Sequence, residues 1–309
     1  MRVLILGNSA IARKRLLPAL STLPEITGID IASRSASDAA FSDYERALAE
    51  SDAELVYVSL INSEHAPWAE RALEAGRHVV VDKPAFLDLG QAERLVEVSR
   101  SRGLCLAEAT VYTRHPQIDA IRELFARPGA APTCILASFS FPPMDGENFR
   151  YRRAFGGGAL YDLGPYAASP GRVFWGGRPE DIECKVLSTG GPDGVETAFS
   201  VLMSYPGGCS MAGQFGFTTA YRNRLSFLGP DLGADVDRVF TPPDDLENEL
   251  LVSQQSGASI VKVPAADCFA LFMQEVLDRI RTRDLEGLRG ELLDDAFVLD
   301  WMRRSAGGR

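Results

Sequence analysis

Short apolar runs recur through the first third of the chain, each followed by a helical pattern, and this alternation limits the fold more than any other feature. Val3-Leu4-Ile5-Leu6 reads as a buried strand, and Gly7 leads into a helix over 10–20. A second strand over 29–32 precedes a helix over 38–50. The third strand, 55–60, leads to a helix that starts at Asn62 or Ser63, both good N-caps, and ends near Gly76. Ala69, Ala72 and Leu73 give that helix an apolar face. His78-Val79-Val80-Val81 forms a fourth strand, followed by a helix over 88–102 and a short strand at Leu104-Cys105-Leu106. Repeated strand–helix units with short links predict a parallel, doubly wound sheet.

In such a sheet, ligands bind at the carboxyl ends of the strands. The fourth strand ends there in Asp82-Lys83-Pro84. Proline keeps Lys83 out of the helical region and gives it an extended exit. The alternative is a surface lysine at a strand–loop junction. Gly7-Asn8-Ser9-Ala10-Ile11-Ala12 lies where a dinucleotide-binding turn belongs. Only the first fingerprint glycine stands; Ser9 and Ala12 are small enough for close backbone approach, and the helix start offers N–H groups to phosphate. The same residues also suit a plain tight turn. After strand two comes Ser33-Arg34-Ser35, with Asp30 too early in the strand to accept from a ribose 2′-hydroxyl. A guanidinium there pairs with a 2′-phosphate, so NADP(H) is expected in preference to NAD(H). An exposed loop arginine is the other reading.

With 309 residues there is room for two domains. The formal net charge of −10 argues against nucleic acid and anionic membranes as partners. Five scattered cysteines and three histidines form neither a zinc pattern nor a disulfide framework. No segment reads as a signal peptide or a bilayer span, so a reducing cytoplasm is the expected setting.

Four motifs carry a resemblance. The run Val58-Ser59-Leu60-Ile61-Asn62-Ser63-Glu64-His65 contains N-x-x-H, and Ala72-Leu73-Glu74-Ala75-Gly76-Arg77-His78-Val79 precedes Asp82-Lys83-Pro84. Glu108-Ala109 is followed by His115-Pro116-Gln117, and Gly156-Gly157-Gly158-Ala159-Leu160-Tyr161-Asp162-Leu163-Gly164-Pro165-Tyr166 follows later. In this order they resemble the glucose–fructose oxidoreductase/inositol dehydrogenase (Gfo/Idh/MocA) family.

The resemblance implies an N-terminal Rossmann domain over 1–117 and a C-terminal α/β domain over 118–309. The second domain would have an open, mostly antiparallel sheet that binds substrate and assembles a homo-oligomer, a dimer or tetramer. The later sequence fits: a helix over 118–126, a strand over 134–141, and a hairpin of 195–205 with 209–217 across Pro206-Gly207-Gly208. Pro170-Gly171 is expected to kink or stop the motif helix, and helices over 265–281 and 292–303 close the chain. Gly7, Ser9, Ala10 and Ile11 are the expected pyrophosphate turn, and Ser33 and Arg34 the 2′-phosphate contacts. Leu60, Asn62, His65, Asp82, Lys83 and Glu108 complete the expected cofactor set. The other reading of His65 is a solvated histidine, and His115 reads as structural.

Asp162 and Tyr166, four apart, share a face if they lie on one helix. A subset of the family, resembling dihydrodiol dehydrogenases and nucleotide-sugar ketoreductases, has tyrosine at the position of Tyr166. There the tyrosine works with the lysine that matches Lys83. Reduction of a carbonyl needs a proton donor and a nearby positive charge, roles that fit Tyr166 and Lys83, with Asp162 orienting the substrate or Lys83. Tyr166 could instead be an aromatic bonding a backbone carbonyl. Arg150 and Arg152, with Arg153, are expected to hold an anionic substrate, or else form a solvated loop. The expected activity is NADP-dependent hydride transfer with a carbohydrate-like hydroxyl or carbonyl, a keto-sugar that is free or nucleotide-linked. The alternatives are a non-catalytic nucleotide-binding sensor and an enzyme of a non-sugar cyclic diol.

Overall fold

Strands β1 (Arg2–Leu6), β2 (Gly28–Ala32), β3 (Leu55–Val58), β4 (His78–Val81) and β5 (Leu106–Glu108) form one parallel sheet in the order β2-β1-β3-β4-β5. The computed structural model describes residues 1–307 apart from Asp38 and Pro128. Val79, Val80 and Val81 are fully buried, as a strand covered on both faces requires. Strand order reverses between β1 and β3, which makes their carboxyl ends the place for a ligand. The helix after β1 is π-wound over Ala12–Leu16 and continues as α1 (Leu17–Thr22).

Several boundaries differ from expectation. Helix α2 is Tyr44–Glu50, capped by Asp43, whose carboxylate accepts from the Arg46 N–H at 2.8 Å. Asp38, where the helix was expected to begin, lies outside the described residues. Helix α3 (Asn62–Glu74) starts one residue earlier than its expected caps allow, so Ile61 is the N-cap and Asn62 lies in the first turn. Ala75 ends it, and Gly76 follows at φ +77. Helix α4 (Leu89–Ser101) has Asp88 as its cap, and β5 falls two residues later than expected.

Beyond α5 (Pro116–Leu124) and β6 (Cys134–Ser140) the motif helix is broken. Helix α6 (Ala159–Asp162) ends at Leu163, whose ψ of −13° departs from the helix, and α7 (Gly164–Trp175) begins anew with Pro165 in its first turn. Asp162 and Tyr166 therefore do not share one helix face. Pro170 does not end α7. Gly171 lets the helix seat against Tyr205, since a Cβ there would lie 2.0 Å from the tyrosine oxygen.

The second sheet is larger than the sequence disclosed. It adds β7 (Asp181–Gly190), β8 (Val195–Tyr205), β9 (Cys209–Gly216), β10 (Arg222–Leu228), β11 (Leu232–Asp237), β12 (Asn248–Gln254) and β13 (Gly257–Val263). The order is β13-β12-β11-β10-β6-β9-β8-β7, antiparallel except for the β6–β9 pair. The expected hairpin is present across Pro206–Gly208. Helices α8 (Cys268–Thr282) and α9 (Glu286–Ala306) close the chain, the latter starting before its expected residue 292.

Contacts divide the chain into two units, Met1–Thr110 with Phe269–Ala296, and Val111–Cys268 with the chain from Phe297 onward. The sequence puts the division at 117 and keeps the last helices with the second domain. In the first unit, Arg289 of α9 is 5% exposed and donates to the Ser99 hydroxyl and to the Ser99 and Leu104 carbonyls. Leu292 joins that unit's core.

Candidate active site

Gly7 sits at the sheet's switch point with φ +102, and a Cβ there would lie 2.1 Å from the Ser59 carbonyl oxygen. No other residue fits, so the surviving fingerprint glycine keeps the backbone open to a phosphate. Ser9, at the second glycine position, caps the following helix: its hydroxyl accepts from the Ala12 N–H at 3.0 Å. The same hydroxyl lies 2.8 Å from that of Ser59. Ala10 and Ile11 are exposed at the helix start.

Ser59 in turn donates to Asp82 Oδ2 at 2.6 Å, and Tyr57 donates to Oδ1 at 2.6 Å. Ser59 has one hydrogen, so the bond between the serines runs from Ser9 to Ser59. The result is a directed chain from the helix start to the acid beside Lys83. Tyr57 is buried, and its pKa is pushed well above the ordinary tyrosine range by burial first and by the Asp82 charge second. Neither Tyr57 nor Ser59 was expected at the site; their spacing of two, which points both side chains the same way from the strand end, was the available signal.

Lys83 is half-buried and precedes a cis peptide bond to Pro84. His65 braces this loop. One ring nitrogen faces the Pro84 carbonyl at 2.9 Å and the other the Leu60 carbonyl at 3.1 Å. Burial lowers its pKa against the opposing pull of Asp82 and the two carbonyls. Glu108 holds the loop from the other side, accepting from the Ala85 N–H at 2.7 Å and from the Thr110 hydroxyl at 2.7 Å.

At the end of β2, Ser33 is buried and accepts from the N–H groups of Ser35 and Ala36 at 3.3 and 3.1 Å. Arg34 is exposed and lies over the Tyr44 ring at 4.6 Å. Asp30 is engaged by Arg2 at 3.0 Å and by the Ser51 hydroxyl at 3.1 Å. The turn, the exposed guanidinium and the Gly7 cradle suit a dinucleotide with a 2′-phosphate.

In the second unit, Tyr166 is half-buried among rings: Phe139 at 5.0 Å, Phe240 at 5.1 Å and Tyr112 at 6.1 Å between centroids. Asp162 is 8% exposed and pairs with Arg150 Nε at 2.8 Å. Arg152 pairs with Glu147 at 2.7 Å, and Arg153 reaches the Gly194 carbonyl at 3.3 Å. Among the described residues no cluster of His, Cys, Asp or Glu could hold a metal ion, and no helix is long and apolar enough to cross a membrane.

Comparison with known proteins matches residues 1–110 to the oxidoreductase family with an NAD-binding Rossmann fold, and residues 131–231 to the GFO/IDH/MocA C-terminal domain. The dTDP-3,4-didehydro-2,6-dideoxy-alpha-D-glucose 3-reductase of Actinomadura kijaniata is 34% identical over 96% of this chain and 94% of its own. The crystal structure of KijD10, a 3-ketoreductase of the same organism in complex with NADP and TDP-benzene, superposes with a TM-score of 0.91 at 32% identity, covering 99% of this chain and 98% of that one. A trans-1,2-dihydrobenzene-1,2-diol dehydrogenase of Oryctolagus cuniculus is 32% identical over 60% of this chain and 55% of its own. Together with the Gly7 turn and the two sheets, these likenesses identify the chain as a member of the GFO/IDH/MocA oxidoreductase family.

Proposed function

We propose that this oxidoreductase uses NADPH to reduce the 3-keto group of a nucleotide-linked deoxy sugar. The observation that carries the reading is the near full-length likeness to 3-ketoreductases in a chain that keeps both Lys83 and the Tyr166 hydroxyl. Gly7, Ser9, Ala10 and Ile11 would hold the pyrophosphate, and Arg34 the 2′-phosphate. NADPH, when bound, supplies the hydride. Tyr166 gives its proton to the substrate oxygen as negative charge builds there. The Lys83 ammonium stabilises that charge, and the Asp82 chain with the His65 and Glu108 braces fixes where Lys83 leaves the strand. Asp162 acts through Arg150, which it holds.

The test is NADPH consumption with a TDP-linked 3-keto deoxy sugar, the free keto-sugar and a cyclic diol with NADP. Turnover of the TDP-linked sugar is expected. Turnover of the free sugar or diol alone overturns the substrate, and NADPH binding with no turnover of any favours a sensor.

A cytoplasmic setting is part of the proposal, consistent with five free cysteines. So is self-association through the second sheet. Its register aligns Leu202, Leu136, Leu251 and Ile260 in one row across the sheet, and each is at least 42% exposed.

A further inference from the structure

The turn after β11 is held from several sides. Arg238 has φ +53, a left-handed conformation uncommon outside glycine. Its N–H donates to the Asn223 carbonyl at 2.6 Å. The Asn223 side chain, 2% exposed, accepts from the Phe240 N–H at 3.0 Å and donates to the Thr241 hydroxyl at 2.9 Å. Gln117, the fully buried end of the His-Pro-Gln motif, donates to the Val239 carbonyl at 2.7 Å. Gln117 also accepts from Asn248, which donates to the Asp237 carbonyl at 3.0 Å. Asn223, Gln117 and Asn248, all buried, thus fix the five consecutive residues 237–241. A strained backbone persists only when its surroundings over-determine it, and such strain gathers at ligand clamps.

What the turn presents is a cation beside the ring cluster of Tyr166. The Arg238 guanidinium lies over the Tyr221 ring at 5.4 Å. Tyr221 is 47% exposed and packs edge-on against Phe139 at 6.3 Å, one ring removed from Tyr166. Phe240, two residues after Arg238, touches Tyr166 and stacks on Phe139 at 5.6 Å. Arg150 and Arg152 spend their charge on Asp162 and Glu147, whereas Arg238 is exposed and makes no ion pair among the described residues. Stacking occupies the face of a guanidinium and leaves its N–H edge free for paired phosphoryl oxygens.

We propose that Arg238, carried on Tyr221, binds the diphosphate of the nucleotide-linked substrate and so sets the preference for linked over free sugars. In a sugar nucleotide the pyranose ring separates the reacting ketone from that diphosphate, and here one aromatic ring separates Tyr166 from Tyr221. The buried Gln117–Asn248–Asn223 amides hold the turn in place for it. The inference rests on the nucleotide-sugar reading above.

The test titrates thymidine diphosphate into the full chain by calorimetry, for wild type, Arg238→Gly and Arg238→Lys. Glycine accepts a positive φ, so Arg238→Gly removes the side chain while easing the backbone. That variant is expected to weaken thymidine diphosphate about tenfold or more, the loss of one charge-assisted contact, with an unchanged NADPH Kd and melting temperature. Arg238→Lys should recover part of the loss, and KM for the linked sugar should rise in parallel. Equal binding by wild type and Arg238→Gly overturns the subsite while leaving the substrate reading intact. A wild type that binds no thymidine diphosphate yet reduces a free keto-sugar overturns both.

Discussion

Ser59 donates its only hydroxyl hydrogen to the Asp82 carboxylate at 2.6 Å, and that carboxylate belongs to the residue directly before Lys83. The serine at the second fingerprint position feeds this bond through Ser59. What reads as an eroded glycine motif is therefore wired to the lysine's strand.

Ser59→Ala removes a buried donor to a charged acceptor. It should lower stability by about 1.5–3 kcal/mol in urea denaturation and reduce kcat more than it weakens NADPH binding. A variant with unchanged stability and turnover would leave the chain of hydroxyls without a role.

Arg34→Ala should raise the Kd for NADPH by roughly ten- to a hundredfold, about 1.5–3 kcal/mol, and leave NADH nearly unaffected. Fluorescence titration with both cofactors checks it. Equal loss for both would remove Arg34 from 2′-phosphate recognition.

Tyr166→Phe keeps the ring among Phe139, Phe240 and Tyr112 while deleting its proton. Turnover should fall ~10²–10⁴-fold. Lys83→Met should cost turnover as well, both variants should bind NADPH normally, and the double variant should lose much less than the product of the two. Parent-like rates in both single variants would refute the catalytic roles.

His115 is buried, and burial lowers its pKa from 6.5 to about 4. Its Nδ1 accepts from the Gln117 N–H at 3.1 Å, so a proton there would set donor against donor. The unfolded state takes up the proton near pH 6.5 and the folded state near pH 4. Stability is thus unaffected above that window, falls as pH drops through it, and levels off below, by at most about 3 kcal/mol. His115→Asn keeps a capping acceptor and does not titrate, so the slope of its urea midpoint between pH 7 and pH 4, roughly the window of these pKa values, should be shallower. An identical slope would assign the acid sensitivity elsewhere.

Leu136→Glu places a charge at the middle of the exposed row on the second sheet. Sedimentation should show a smaller species than the parent. If both sediment alike, assembly does not use that face.

The amino-acid sequence by itself determined the parallel sheet, because burial of β1, β3 and β4 on both faces leaves continuous apolar runs that need no partner to be read. It also determined where Gly7, Lys83 and Arg34 fall, since each lies within two residues of a strand's carboxyl end. The strands of the second sheet are half-exposed and short on such runs, so most stayed hidden until their pairing was known. Leu163 breaks the helix that spacing alone makes continuous, and Asp162 turns to Arg150 as a result of how that loop folds back. The partners of Asp82 come from a neighbouring strand, and the Gln117 amide meets the Val239 carbonyl across 122 residues of chain. Only tertiary structure decides such contacts, because a buried polar group must find its hydrogen-bond partner wherever packing brings one, not where the sequence is near.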